Sequence, residues 1–82
     1  NMSLMEKVNN DIKEAMKAKL QERLDALRML KAEYIKNNTA SKPTDELTVT
    51  VAHAKRLQDS LEMYQAGSDA YAKIVKELAV IK

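Results

Sequence analysis

The 82-residue chain has no cysteine, no tryptophan and no phenylalanine, a single glycine, a single proline and a single histidine. Each shortage closes a route. Without cysteine there is no disulfide, no thiolate chemistry and no Cys-built zinc or iron–sulfur site. One imidazole, His53, cannot build the multi-ligand shell that a zinc centre requires. Three tyrosines are the only aromatic residues, so Leu, Ile, Val, Met and Ala must fill the core. That composition is the profile of a helical bundle. No apolar run approaches the roughly 20 residues needed to cross a bilayer, and no secretory h-region follows the start. A cytoplasmic protein is therefore the default expectation, with the mitochondrial matrix as the alternative for a eukaryotic source. Asn1 ahead of Met2 reads as a tag remnant, which places the natural start at Met2.

Charge is equally uninsistent. Fourteen basic residues stand against 12 acidic ones, for a net +2, too even a balance for strong electrostatic capture of nucleic acid. At this length one domain is expected, and it buries only roughly 60% of the surface that its unfolded chain exposes. Every helix must contribute to one shared core.

What is present is helical periodicity. Ser3 followed by Glu6 fits a capping box, and Leu4, Val8, Ile12, Ala15 and Met16 then fall on one arc of a helical wheel. A second set, Leu20, Leu24, Leu27, Leu30 and Tyr34, is centred roughly 90° away from the first, so a straight helix could not bury both. A kink or tight connection is expected near Lys17 to Gln21. The polar run from Asn37 to Pro43 ends the second helix. Thr44 is expected as the next N-cap, with Asp45 and Glu46 in the first turn.

Leu47 to Val51 alternates like a strand, yet Leu47, Val51, Ala54, Leu57, Leu61 and Tyr64 step by three or four residues over a longer span. The longer pattern predicts a third helix. Gly67 is expected to close that helix in the left-handed conformation, with Ser68 capping the fourth. Tyr71, Ile74, Val75, Leu78 and Ile81 form the apolar face of that last helix. The fold expected is all-α, a small four-helix bundle with helices roughly at 4–18, 21–37, 45–66 and 69–82.

No catalytic constellation can be assembled: there is no Ser-His-Asp or Cys-His set and no phosphate-binding glycine loop. His53 sits at the edge of the third helical stripe and reads as a partly buried boundary residue. No cofactor and no metal is expected. The basic residues gather in the first two helices, with 8 basic against 6 acidic over positions 1 to 38. Lys13, Lys17, Arg23, Arg28 and Lys31 are the candidate phosphate contacts for salt-dependent RNA binding. Arg28, on the flank of the leucine stripe, also suits a structural role in which its stem covers apolar surface. Tyr34, Tyr64 and Tyr71 fall on stripes and read as core or core-edge, whereas Met29 and Met63 point away from theirs and suit a protein-docking surface.

The run Ala15-Met16-Lys17-Ala18-Lys19, then Glu22-Arg23-Leu24 and Leu27-Arg28-Met29-Leu30-Lys31, then Asp59-Ser60-Leu61-Glu62 and Ala66-Gly67, resembles the N-terminal domain of the YqeY proteins. The likeness covers nearly all of residues 2 to 82. That family is related to the tail of GatB, a subunit of the glutamine-dependent aspartyl/glutamyl-tRNA amidotransferase, and it typically continues into a second, GatB-tail-like helical domain that is not in this sequence. The resemblance implies a partner such as tRNA or an amidotransferase–tRNA complex, and it carries an amidotransferase-like label, a carbon–nitrogen ligase with glutamine as amide donor. No residue here provides a glutaminase centre or a phosphate site. A non-catalytic module is therefore expected, either an accessory domain that touches tRNA or, as the alternative, a protein–protein adaptor docking through Met29, Met63 or the open end of the fourth helix. Two departures from the family pattern stand out. Leu20 occupies a position where an Asp or Asn able to cap the second helix is common, and Leu57 one where a basic residue is usual.

Overall fold

All four expected helices form in the computed structural model, which describes residues 3–81. They are α1 (Leu4–Lys17), α2 (Gln21–Asn38), α3 (Glu46–Ser60) and α4 (Asp69–Ile81), with one turn of 3-10 helix at Leu61–Met63. The readings of Asn1 and Met2, and Lys82 at the end of the expected fourth helix, lie outside the described residues. Among the described residues there is no strand, so Leu47 to Val51 is helical, as the longer period requires.

The helix starts follow capping chemistry. Ser3 Oγ accepts from the Glu6 N–H at 3.1 Å, and Ser68 Oγ accepts from the Tyr71 N–H at 3.1 Å. The third start differs from expectation: Asp45, not Thr44, is the N-cap, with its Oδ1 accepting from the Thr48 N–H at 2.8 Å. Thr44 is engaged elsewhere. Asn37 Oδ1 accepts from the Thr44 N–H and hydroxyl, both at 3.0 Å, and Asn37 Nδ2 donates to the Thr44 carbonyl at 2.7 Å. One amide side chain thus holds the two ends of the polar loop together.

The break between α1 and α2 is a Schellman closure. Leu20 N–H donates to the Ala15 carbonyl at 3.0 Å and Lys19 N–H to the Met16 carbonyl at 3.2 Å. Lys19 takes the left-handed position at φ 57°, where glycine is the usual choice. Leu20 then stands at the N-cap of α2 with no side-chain hydrogen bond.

α3 ends at Ser60, six residues short of the expected limit of 66. Leu57 is its last buried side chain, and beyond it Glu62, Met63, Tyr64 and Gln65 are exposed, so further turns would bury nothing. Tyr64, expected on the core stripe, is 44% exposed. Gly67 is left-handed as expected, at φ 92°. It serves a turn closed by the Ser68 N–H on the Gln65 carbonyl at 3.1 Å, rather than the end of α3.

The core has two clusters along α1 and α2. Val8, Leu30 and Tyr34 pack with Leu4, Met5, Ile12, Val49 and Ile81. Ala15, Leu24 and Leu27 pack with Ile12 and Val80. The leucine ridge of α2 therefore meets α1 along its length, α3 at Val49 and α4 only at its last turn. Three residues expected on the stripes of α1, α2 and α4 are outside it: Met16 and Leu20 are half exposed where the chain reverses beside them, and Val75 on α4 is 44% exposed.

The apolar stripe expected on α3 is not its buried face. Leu47 and Val51 are 63% and 60% exposed, while His53 and Leu57 are buried and Val49 and Thr50 half-buried. The helix is rotated by roughly a quarter turn from the apolar count. Fully buried Tyr34 explains this, since its hydroxyl needs a partner. Thr50 Oγ1 supplies one: it donates to the Glu46 carbonyl at 2.8 Å and is hydrogen-bonded to the Tyr34 hydroxyl. Counting only apolar side chains misses a face chosen by a hydroxyl. The result is a slab of 38 × 32 × 18 Å, about two helix diameters thick.

Candidate nucleic-acid interface

Lys13 and Lys17 lie roughly 140° and 180° round α1 from its buried arc, on the outer face of the α1–α2 hairpin. Both are exposed, as are Arg23 in the first turn of α2 and Arg28, one helical flank away from Leu27. Lys31 is half-buried between the directions of Leu24 and Leu27, so its stem covers the seam with α1. All five expected residues are on one hairpin, spread round its outside rather than gathered about a pocket. None takes part in the ion pairs found among the described residues, which join Lys7 to Asp11, Arg56 to Glu33 and Lys76 to Glu22. Arg28 thus makes no carboxylate pair among the described residues. Lys19, at the left-handed tip of the same hairpin, adds a fifth exposed cation, one that the sequence places among the basic residues but not among the candidate contacts. Its signal was the missing glycine in a sharp reversal.

The other face of the molecule is chemically different. Glu46 links three elements: its Oε1 accepts from the Met5 N–H in the first turn of α1 at 3.0 Å, and its Oε2 from Asn38 Nδ2 at the end of α2 at 3.2 Å. A carboxylate at an α1 N–H is favoured by the helix dipole as well as by the hydrogen bond. Asp45 next to it has its carboxyl held below the usual range, first by the backbone N–H of Thr48 and then by the Thr48 hydroxyl.

His53 and Glu77 are both 7% exposed, the two buried polar side chains among the described residues. Burial pushes the His53 imidazole below its ordinary value; Glu33 and Glu77 oppose that electrostatically and Arg56 adds to it. The reading of His53 as a partly buried boundary residue underestimates it, because α3 turned that edge inward. Glu77 was missed altogether. Its signal was Val80, left out of the expected α4 stripe, which together with Ile74 and Ile81 brackets Glu77 on the wheel.

Clefts flank α2 on this face. One of about 260 Å³ between α2 and α4 is lined by Glu22, Asp25, Asp69, Ala72, Lys73, Lys76 and Glu77. A second, of about 270 Å³ between the end of α2 and α3, is walled in part by Glu33, Lys36, Asn37, Thr48 and Arg56. None of the five hairpin cations lines either. Among the described residues no group of three or more His, Cys, Asp or Glu side chains is placed to hold a metal ion.

With this geometry in hand, the comparison with protein families is decisive for kinship. The sequence matches the family described as Yqey-like protein over residues 5–82. The chain belongs to that family. No curated protein and no solved structure matches the chain. The match spans all of α2, α3 and α4 and all but the first residue of α1, so the Yqey-like unit here is the whole four-helix arrangement. No helix among the described residues of this Yqey-like domain is long and apolar enough to cross a membrane.

Proposed function

We propose that this Yqey-like domain is a non-catalytic module that engages RNA, with tRNA as the first candidate, through the outer face of the α1–α2 hairpin. The observation that carries the reading is the set of exposed cations on one hairpin, Lys13, Lys17, Arg23 and Arg28 with half-buried Lys31, that form no ion pair among the described residues. A cation already paired releases little on meeting a phosphate. Unpaired ones gain through counterion release, with log K falling against log salt by about 0.9 per phosphate neutralised. Kinship through GatB to tRNA amidotransferases, implied by the resemblance, agrees with this choice of ligand. The amidotransferase-like label is not extended to this chain, whose single imidazole is buried beside Glu33, Arg56 and Glu77 rather than presented to a substrate.

The test is a fluorescence-anisotropy titration of labelled tRNA at about 50 and about 200 mM salt. Five phosphate contacts give a slope of about −4, and Lys13→Glu/Lys17→Glu lowers its magnitude by about two. Flat anisotropy at the lower salt with protein up to about 100 μM, the weak end of non-specific binding, overturns the reading.

A protein-docking reading has its own observation. Met29 is 41% and Met63 76% exposed, Leu47 and Val51 are exposed as well, and a groove between α3 and α4 is lined by Ala54, Gln58, Val75, Leu78, Ala79 and Ile81. Adaptor function through such apolar surface leaves tRNA anisotropy unmoved at either salt.

A further inference from the structure

We propose that the cleft between α2 and α4 is a binding site for a small organic cation, an ammonium or guanidinium group, with the Glu77 carboxylate at its floor. This surface lies opposite in charge to the hairpin and is independent of the RNA reading. The argument begins with an imbalance. The cleft carries four carboxylates, Glu22, Asp25, Asp69 and Glu77, against two ammonium groups, Lys73 and Lys76, for a local charge of −2. Part of this is settled internally: Lys76 Nζ sits 2.5 Å from Glu22 Oε2, and Asp25 Oδ1 accepts from Gln21 Nε2 at 2.8 Å. Removing the neutral Lys76–Glu22 pair leaves Asp25, Asp69 and Glu77 facing Lys73 alone, again −2.

An acidic rim in water means little, since solvent and salt screen it. Glu77 is different. Its residue is 93% buried, from an exposure of 7%, and no hydrogen bond or ion pair reaches its carboxylate among the described residues. A carboxylate on a nearly buried residue is satisfied best by a cationic hydrogen-bond donor, and none of the protein's own donors supplies one among the described residues. Yet no side-chain oxygen in the described part is both sealed from solvent and unpartnered. The Glu77 oxygens therefore keep an opening, and Glu77 lines the cleft. A carboxylate that is nearly buried, unpaired and open toward a pocket of about 260 Å³ is short of one thing, a cationic hydrogen-bond donor.

His53 is no such donor: its charged form is disfavoured by burial, and it lies outside the 4 Å reach of an ion pair with Glu77. Too few ligating groups converge for a metal ion. An N–H-bearing organic cation fits: it places two or three donors on Glu77 while Asp25 and Asp69 face its outer end, and Lys73 sets a limit on the size of the cationic head. The same chemistry is offered by a free polyamine and by a lysine or arginine side chain of a peptide.

The experiment is an amide and side-chain carboxyl NMR titration of the whole chain with spermidine, with an acetylated and amidated Gly-Arg-Gly peptide, and with tetramethylammonium chloride, which carries charge but no N–H donor. The expected result is a saturating shift of the Glu77 carboxyl carbon and of the Ala72, Lys73 and Glu77 amides. Dissociation constants on the order of 1 mM are expected for spermidine, the peptide or both, with tetramethylammonium inert. Saturation by spermidine alone assigns a free polyamine, and by the peptide a partner's side chain. Glu77→Gln should weaken binding about tenfold while keeping the amide spectrum of the folded protein. Asp25→Asn, at the exposed rim, should weaken it by about twofold and guards against a misfolded Glu77 variant. Non-saturating shifts, an equal response to tetramethylammonium, or unchanged binding in both variants overturns the proposal.

Discussion

Along the α1–α2 seam the buried side chains are Val8, Ala15, Leu24, Leu27, Leu30 and Tyr34, all apolar apart from one hydroxyl that is hydrogen-bonded to Thr50. Outside that seam, where α3 and α4 close over α2, the buried residues are Ala26, His53, Leu57 and Glu77. The two regions share one helix and differ in what they remove from water. Apolar burial stabilises at roughly 25 cal/mol per Å², whereas a carboxylate that is unpaired and open to a cleft adds none of that stabilisation. The first region therefore holds the molecule together, and the second contributes less to it. A charged group placed where an apolar one would pack better is where function is sought.

The sharpest way to break this comparison is to remove the centre of the dry seam. Leu27 is 1% exposed, and Leu27→Ala should cost about 3 kcal/mol from lost transfer energy and the cavity left behind. An 82-residue domain commonly has only about 4 to 12 kcal/mol in total, so by denaturant titration this variant should lose roughly a quarter to three quarters of its stability. A loss under about 1 kcal/mol would mean that the seam is not the main stabilising contact.

The opposite sign is expected on the polar side. Glu77→Leu keeps the volume and puts an apolar side chain in place of a carboxylate that no ion pair holds among the described residues, so it should stabilise by up to about 1 kcal/mol and raise the thermal midpoint. If the midpoint falls, Glu77 is paired in a way that stabilises the native state, and the contrast between the regions fails. Glu77→Leu should also abolish any response to spermidine, so stability and binding would move in opposite directions.

Acidity separates the two regions further. His53 titrates below its ordinary value of 6.5 chiefly because it is buried, with Glu33 on α2 and Glu77 on α4 opposing and Arg56 on its own helix reinforcing the shift. Its neutral form is the one favoured by the fold. The stabilisation is complete above 6.5 and declines as the pH falls from there through the lowered folded value, because the unfolded chain binds the proton first. His53→Gln should flatten the stability profile in that window while leaving a second decline below 3.8. That second decline belongs to Asp45, whose carboxyl is lowered by the Thr48 N–H and hydroxyl and whose contribution is lost as it protonates. A His53→Gln profile that still slopes just below 6.5 would assign the effect to another group.

How much of this contrast was legible in the sequence follows from what periodicity measures. The α1–α2 hairpin was readable because its buried residues are apolar and recur at helical spacing. The break at residues 18–20 was readable because the two stripes are out of phase. The α3 face was not, since it is set by Thr50 meeting the Tyr34 hydroxyl and by inward-turned His53, and an apolar count gives those residues no weight. Thr44 reads as the cap of α3 from sequence because the side chain that engages it, Asn37, is seven residues earlier and reaches it only once the loop has closed. The five hairpin cations were legible as a group, but their freedom from internal pairs was not. The cleft could not be read at all, because Glu77 and Asp25 are on different helices and their proximity is tertiary.

The smallest effect expected is at the tip of the dry hairpin, where the chain reverses through Lys19 at φ 57°. A side chain in the left-handed region costs roughly 1 to 2 kcal/mol relative to a right-handed one, and glycine avoids that cost while giving back part of it as unfolded-state entropy. The two Schellman hydrogen bonds, from Lys19 and Leu20 to Met16 and Ala15, use backbone atoms only and should survive the change. Lys19→Gly should therefore stabilise by about 0.5 to 1 kcal/mol, a rise of roughly 3 to 6 °C in midpoint for a domain of this size. Lys19→Ala, which keeps the Cβ and removes only the charge, should leave the midpoint within about 1 °C. If both variants rise together, the gain came from relieving repulsion among Lys17, Lys19 and Arg23 rather than from the backbone, and the hairpin tip would be strained by its charge instead of by its turn.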